Sequence, residues 1–269
     1  MKKILLLLCL FLDFGFSKQA LIVLDPASIE ILYMLEREDS ILAIANMQNS
    51  QIYPKEKTSK LQSVGTFSHP SLEKIIALKP DMVILSSYSL NLKQKLETFG
   101  IKTLYLKADN LNEIAQNIKT LGDIVGEEEK AKKLIADYKD KIKNIKKHPL
   151  HKKGVLIYSD SPLMVFTPGT LPDDILQTLG ITNIAKDVAG ARPILSEEFI
   201  LKENPEIILY GLRVRNQNDL LRTNPLLSKT KAAKNARIYY INAYSLLRGT
   251  PRIIDNIIKI QTQFNSIKN

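Results

Sequence analysis

Residues 126–147 read GEEEKAKKLIADYKDKIKNIKK, and the organisation of the whole chain turns on this stretch. Its apolar positions Ala131, Leu134, Ile135, Tyr138, Ile142 and Ile145 recur at spacings of three and four, which places them on one stripe of a helix. Glu127, Glu128 and Glu129 open the stretch and lysines crowd its end, the charge order that complements a helix dipole. Glu129 with Lys133 and Asp137 with Lys141 stand at i,i+4 spacing. The pattern predicts one long amphipathic helix, roughly 30 Å at 1.5 Å per residue, enough to join two lobes rigidly.

On its amino-terminal side, apolar strand-like runs at 21–24, 41–45, 82–86 and 102–106 alternate with helical spacing at 28–35, 70–78 and 90–99, with 63–65 leading into a turn at 66–69. That alternation predicts an α/β lobe with a largely parallel sheet. Beyond residue 147 the pattern restarts, with strands at 154–158, 164–167, 207–210 and 237–241 and helices at 172–179, 197–203 and 251–264. The halves also share sequence. Residues 71–85, SLEKIIALKPDMVIL, align without a gap with residues 196–210, SEEFILKENPEIILY. Ser71 falls on Ser196, Glu73 on Glu198, Pro80 on Pro205 and Asp81 on Glu206. The expected fold is therefore two similar α/β lobes, each with a largely parallel sheet, joined by one long rigid helix. The expected divisions are a signal peptide at 1–17, an N-terminal lobe at 18–109, a linking helical segment at 110–147 and a C-terminal lobe at 148–269.

Lys2 and Lys3, an apolar run at 4–12 and the small residues Gly15 and Ser17 have the form of a secretory signal, cleaved after Ser17. The run is short for a membrane span, and a retained anchor is the alternative. Cys9 lies in that run without the small residue expected before a lipidated cysteine, so the mature chain has no cysteine and no disulfide framework. The net charge of +10 is spread along helix faces without an aromatic-basic motif, which argues against nucleic acid and for an anionic small ligand or a solvated lysine-rich surface. No GxGxxG, GxxxxGK, GxSxG, HExxH or CxxC is present, and His148 and His151 fit a solvated turn. The expectation is an exported binder, monomeric and without a cofactor of its own. The competing readings are an exported enzyme using Asp25 as acid or base, and a sensor.

Ligands of α/β lobes sit where loops leave the carboxyl ends of strands. Those loops carry Tyr53, Phe67, Tyr88, Tyr158, Phe166 and Tyr244, with Arg192, Arg213, Arg215 and Arg248. Aromatics supply contact area and arginines pair with anions, so the lining suits a flat or greasy ligand bearing carboxylate or phosphate. Tyr158 and Phe166 fit a core position equally well, and Arg213 and Arg215 fit surface charges. His69 fits either ligation of a metal within the ligand or a helix start beside Pro70. Arg248, alone among apolar residues before Gly249 and Pro251, is the first choice among the basic residues.

Five pieces together resemble the periplasmic solute-binding proteins of ABC importers, in the class whose lobes share one long helix: IYP at 52–54, VGTFSHPSLEKIIALKPDMVI at 64–84, LGDIVGEEEKA at 121–131, FTPG at 166–169 and RGTPRI at 248–253. That class serves ferric siderophores, haem and vitamin B12. The resemblance spans essentially the mature chain and implies capture of a metal chelate carrying iron or cobalt. It implies delivery to an inner-membrane permease with its ATPase, and a periplasmic location. It also implies that Glu73 and Glu198, one on each lobe, dock onto the permease, and that Tyr53, Phe67 and Phe166 line the cleft with Arg248 near them. Haem receptors of this class often carry tyrosine directly after the VG pair. Thr66 stands there instead, which weakens tyrosine-ligated haem, while His69, Tyr88 or Tyr244 stay open as direct ligands of iron or nickel.

Overall fold

The computed structural model describes residues 19–48, 50–242 and 247–266. The first lobe alternates β1 (Leu21–Val23), α1 (Pro26–Met34), β2 (Ile41–Asn46), α2 (Lys55–Thr58), β3 (Ser63–Thr66), α3 (Leu72–Ala77), β4 (Met82–Leu85), α4 (Lys93–Thr98) and β5 (Lys102–Tyr105). Its strands lie in the order β3-β2-β1-β4-β5 and every pairing is parallel. The helix starts are specified locally. Asp25 accepts the Ser28 N–H at 2.8 Å ahead of Pro26, and Ser71 caps α3 through the Lys74 N–H.

The second lobe holds β6 (Lys152–Asp160), β7 (Leu163–Val165), α7 (Leu171–Thr178), β8 (Ile181–Asn183), α8 (Glu197–Glu203), β9 (Ile207–Tyr210), α9 (Gln217–Thr223), α10 (Lys231–Lys234), β10 (Ile238–Tyr240) and α11 (Ile253–Ser266). β6 is flanked by β9 on one side and by β8 on the other, and β10 lies beyond β9. The order β8-β6-β9-β10 thus repeats β2-β1-β4-β5, and the aligned segments 71–85 and 196–210 become α3–β4 and α8–β9. The lobes differ at β7, which folds back antiparallel on the end of β6. A parallel reading of 164–167 misses that hairpin because apolar alternation carries no strand direction.

The linking segment is two helices, α5 (Leu111–Val125) and α6 (Glu128–Lys146). Gly126 belongs to the end of α5, as its left-handed cap with φ 69°, so the long helix begins two residues later than its charge pattern suggests. At nineteen residues α6 is about 28 Å long. Its predicted stripe faces inward: Ala131, Tyr138 and Ile145 are buried, with Leu134, Ile135 and Ile142 packed beside them. Lys141 pairs with Asp137 at 2.9 Å as expected, whereas Glu129 takes Lys132 at 2.6 Å rather than Lys133.

The rod is anchored at both ends. Near its start Lys130 reaches Glu36 beyond α1 at 2.9 Å, and the Arg37 guanidinium donates to the carbonyl of Val125. At its end Gln261 of α11 donates to the carbonyls of Ile145 and His148 at 3.0 and 2.8 Å. Each sheet has an outer core of its own, Ile22, Leu24, Val83 and Leu85 in one and Val155, Ile157, Ile208 and Ile238 in the other. The inner faces share one core, which runs from Leu21 and Val23 through Ile114, Ile118 and Tyr138 to Leu209 and Phe264. Lobe separation is therefore set by this common core together with the rod. It also explains why α1, inside it, is buried from Pro26 to Leu32 without a polar face.

Candidate functional site

Because the first sheet is wholly parallel, its loops after β1, β2, β3 and β4 leave from one edge. The segment after β10 meets that edge. Arg248 donates to the carboxylate of Glu30 on α1 at 2.8 Å, to the Gln51 carbonyl at 2.5 Å and to the Ser50 hydroxyl at 3.0 Å. Glu30 is 2% exposed and the Arg248 side chain 12%. The second Glu30 oxygen faces Arg252 at 3.6 Å, and the Arg252 guanidinium lies 3.8 Å from the centroid of the Tyr53 ring. These groups line a cavity of ≈ 440 Å³, with Lys55, Asn242 and Asn256 completing the wall.

Asp25, at the end of β1, sits behind this cluster. Burial pushes its carboxyl above the ordinary range, while hydrogen bonds from Ser28 and Ala27 and the charge of Arg248 act the other way.

The structure sorts the predicted residues into three groups. Tyr53 and Arg248 come together in the cavity, although Arg248 is committed to Glu30, Ser50 and Gln51. Phe67 and Tyr88, after β3 and β4, pack with ring centroids 5.0 Å apart, and Tyr88 is 64% exposed. On the second lobe Phe166 lies 4.8 Å from Tyr158, with Arg192 over its ring at 5.7 Å. Phe166 itself is 2% exposed and belongs to the shared core, so Arg192 is the solvent-facing member of that stack. Arg213 is exposed, and its backbone N–H donates to the Tyr158 carbonyl at 3.0 Å. His69 is exposed too, its backbone N–H held by Thr66 at 3.0 Å. Tyr244 lies outside the described residues, as does the 1–17 signal.

Glu73 and Glu198 occupy matching places, each exposed in the first turn of its helix behind a capping serine. Their own backbone N–H groups, and then the Ser71 and Ser196 hydroxyls, hold both carboxyls below the ordinary range. The neighbouring Glu197 differs, since it accepts the Leu226 N–H at 2.7 Å and so ties α8 to the loop beyond α9.

Glu30, Ser50, Lys55 and Arg252 are the site residues that sequence reasoning passed over. A glutamate inside the apolar run PASIEIL was the available signal, because a charge on a helix with no polar face needs a partner. Among the described residues no group of three or more His, Cys, Asp or Glu side chains could hold a metal ion. Among them too, no helix is long and apolar enough to cross a membrane.

The sequence profile described as periplasmic binding protein matches residues 21–244. The vitamin B12-binding protein of Vibrio vulnificus is 28% identical over 269 residues, covering 96% of this chain and 96% of its own. That of Vibrio parahaemolyticus is 26% identical, covering 97% and 98%. Among solved structures, the periplasmic heme binding protein of Vibrio cholerae superposes with a TM-score of 0.81 at 21% identity, over 92% of this chain and 99% of its own. The petrobactin-binding protein of Bacillus subtilis superposes at 0.80 with 21% identity, over 93% and 92%. These likenesses show the two-lobed architecture.

Proposed function

The chain belongs to the periplasmic binding protein family, and from that premise we propose that it captures a metal chelate between its lobes and delivers it to an inner-membrane ABC permease. The ligand is a ferric siderophore, haem or a corrinoid, carries its own iron or cobalt, and reaches a chain exported by the signal at 1–17. The observation that carries this reading is the meeting of the two strand-end loop sets. Tyr53, Lys55 and Arg252 line the cavity where the segment after β10 meets the first lobe, and the Phe67–Tyr88 pair stands on the loops after β3 and β4 of that lobe. Such a lining gives a chelate flat contact surface and cations for its acidic groups. His69, exposed on the loop after β3, and Tyr88 after β4 are the side chains we take as candidates for direct ligation of the metal.

Binding should close the lobes by a small angle, because the shared core and α6 resist wide bending. Glu73 and Glu198 then present one carboxylate per lobe to the permease.

The test is native mass spectrometry with visible absorption after incubation with cobalamin, haem, ferric catecholates and nickel-histidine. One of them should bind at one per chain with a shifted spectrum, and that shift should change in His69→Ala if the imidazole reaches the metal. A chain that binds none of the four refutes the reading.

A further inference from the structure

The parallel strands β6, β8, β9 and β10 of the second sheet begin at one edge, opposite the edge from which the loops to Arg213 and Arg248 leave. Basic residues collect there. Lys146 and Lys147 close α6, Lys231 and Lys234 lie on α10 just before β10, and all four are exposed. Glu203 and Glu206 at this edge are already taken, by Lys153 at 3.5 Å and Lys152 at 3.0 Å. Among the described residues the four lysines have no carboxylate partner, and neither has Arg237, the residue immediately before β10.

Arg237 and Tyr239 alternate along the chain and so share the inner face of the sheet. Tyr239 belongs to the shared core, and the Arg237 guanidinium lies 5.1 Å from the centroid of the Phe264 ring on α11. Their polar atoms are stranded. The Arg237 Nε and the Tyr239 hydroxyl are both buried and have no hydrogen-bond partner among the described residues. Burial pushes the Tyr239 hydroxyl above its ordinary range, against the charge of Arg237, so at neutral pH it is an O–H donor. Native interiors leave few such donors unmatched, and two of them beside a cation without a carboxylate call for an anionic acceptor.

We propose that Arg237 and Tyr239 form a binding site for a phosphate group, drawn in by the lysines of α10 and of the α6 end. The site lies away from the chelate cleft and stands whichever chelate that cleft takes. Stacking on Phe264 fixes the guanidinium plane, whose N–H groups pair with two phosphate oxygens while the Tyr239 hydroxyl donates to another. The lysines add attraction at longer range.

The experiment is isothermal titration of the mature chain with inorganic phosphate at fixed ionic strength, together with its sedimentation on phosphatidylcholine vesicles with and without phosphatidylglycerol. Arg237→Met and Tyr239→Phe are compared with Lys93→Gln, an exposed lysine on α4 of the first lobe. Phosphate binding at one per chain that falls at least tenfold in Arg237→Met and at least threefold in Tyr239→Phe, and is unchanged in Lys93→Gln, supports the site. Without vesicle capture, that result makes free phosphate the ligand. Capture by the phosphatidylglycerol vesicles that falls in the same two variants and not in Lys93→Gln identifies a lipid headgroup. Binding to neither probe, or binding that Lys93→Gln lowers as much as Tyr239→Phe does, overturns the site and leaves the two donors to water. Tyr239→Phe removes one oxygen and keeps the core ring, so its result stands even if Arg237→Met fails to fold.

Discussion

Glu30 and Arg248, 218 residues apart in the chain, meet at 2.8 Å with the carboxylate 2% exposed. A buried charge of this kind is tolerated when it is paired and hydrogen-bonded, and it becomes costly when its partner is removed. The two partners are unequal here. Glu30 has a second cation within reach in Arg252, whereas among the described residues Arg248 has no second carboxylate bonded to it, only Ser50 and the Gln51 carbonyl.

The two truncations should therefore differ. Glu30→Met strands a buried guanidinium and should cost about 3 kcal/mol, while Arg248→Met lets Arg252 move onto Glu30 and should cost about half of that. The double variant should cost less than the sum of the singles. Urea denaturation of the three variants reads this directly. A cost for Arg248→Met equal to or above that of Glu30→Met would show that Arg252 gives no cover.

Much of the architecture was legible because it is written in short-range patterns. Strand and helix alternation gave the parallel sheets, the stripe from Ala131 to Ile145 gave the rod, and the ungapped match of 71–85 with 196–210 anticipated the repeated strand order. Three features were not legible, for physical reasons. The β7 hairpin was hidden because strand direction leaves no trace in hydropathy. Gly126 reads as the first residue of the long helix, because a backbone dihedral leaves no mark on hydropathy or charge order, and its positive φ assigns it to the end of α5. The Glu30–Arg248–Arg252 cluster joins residues whose proximity exists only once both lobes are packed, so no local spacing announces it. Phe166 shows the converse, since its place after a strand fitted cleft and core equally well and only the packed structure buries it beneath Arg192.

The two rod helices approach closely at Gly122, where an added Cβ would lie 2.5 Å from that of Ala131. Glycine inside a helix costs about 1 kcal/mol against alanine, so Gly122→Ala gains that propensity but must push α5 from α6. The clash should win, leaving the variant about 1 kcal/mol less stable, and Gly122→Leu should lose roughly 3 kcal/mol or fail to fold. Adding Ala131→Gly to Gly122→Ala should recover most of the loss. Thermal unfolding in which Gly122→Ala is more stable than the parent chain would dismiss the close approach.

Asp25 predicts a pH dependence with a definite sign. A carboxyl that ionises less readily folded than unfolded favours the folded state in its protonated form. Its stabilisation is complete below the ordinary value of 3.8 and is lost as pH rises through the higher folded value. At neutral pH the cost that partial burial places on its ionised form opposes folding. Asp25→Asn keeps an oxygen to cap α1 at Ser28 and removes the charge, so it should melt above the parent chain at pH 7. That advantage should shrink on acidification toward pH 4. A melting difference that stays constant over this range would place the penalty elsewhere than in ionisation.

Adjacent glutamates on α8 separate docking from stability. Glu197 receives the Leu226 N–H at 2.7 Å, so Glu197→Lys breaks a structural tie and should lower the melting temperature. Glu198 is exposed and its partners are local, its own N–H and the Ser196 hydroxyl, as are those of Glu73 with Ser71. Glu73→Lys with Glu198→Lys should consequently leave the fold and the chelate affinity nearly unchanged, within about twofold, because neither side chain touches the cavity. If the pair forms the permease contacts, reversing both charges puts like charge against the basic partner that such carboxylates require. Uptake in reconstituted vesicles should then fall at least tenfold, with each single change giving a partial loss. Unimpaired uptake by the double variant would mean that the matching serine–glutamate caps serve their helices alone, and that the permease reads another part of the two lobes.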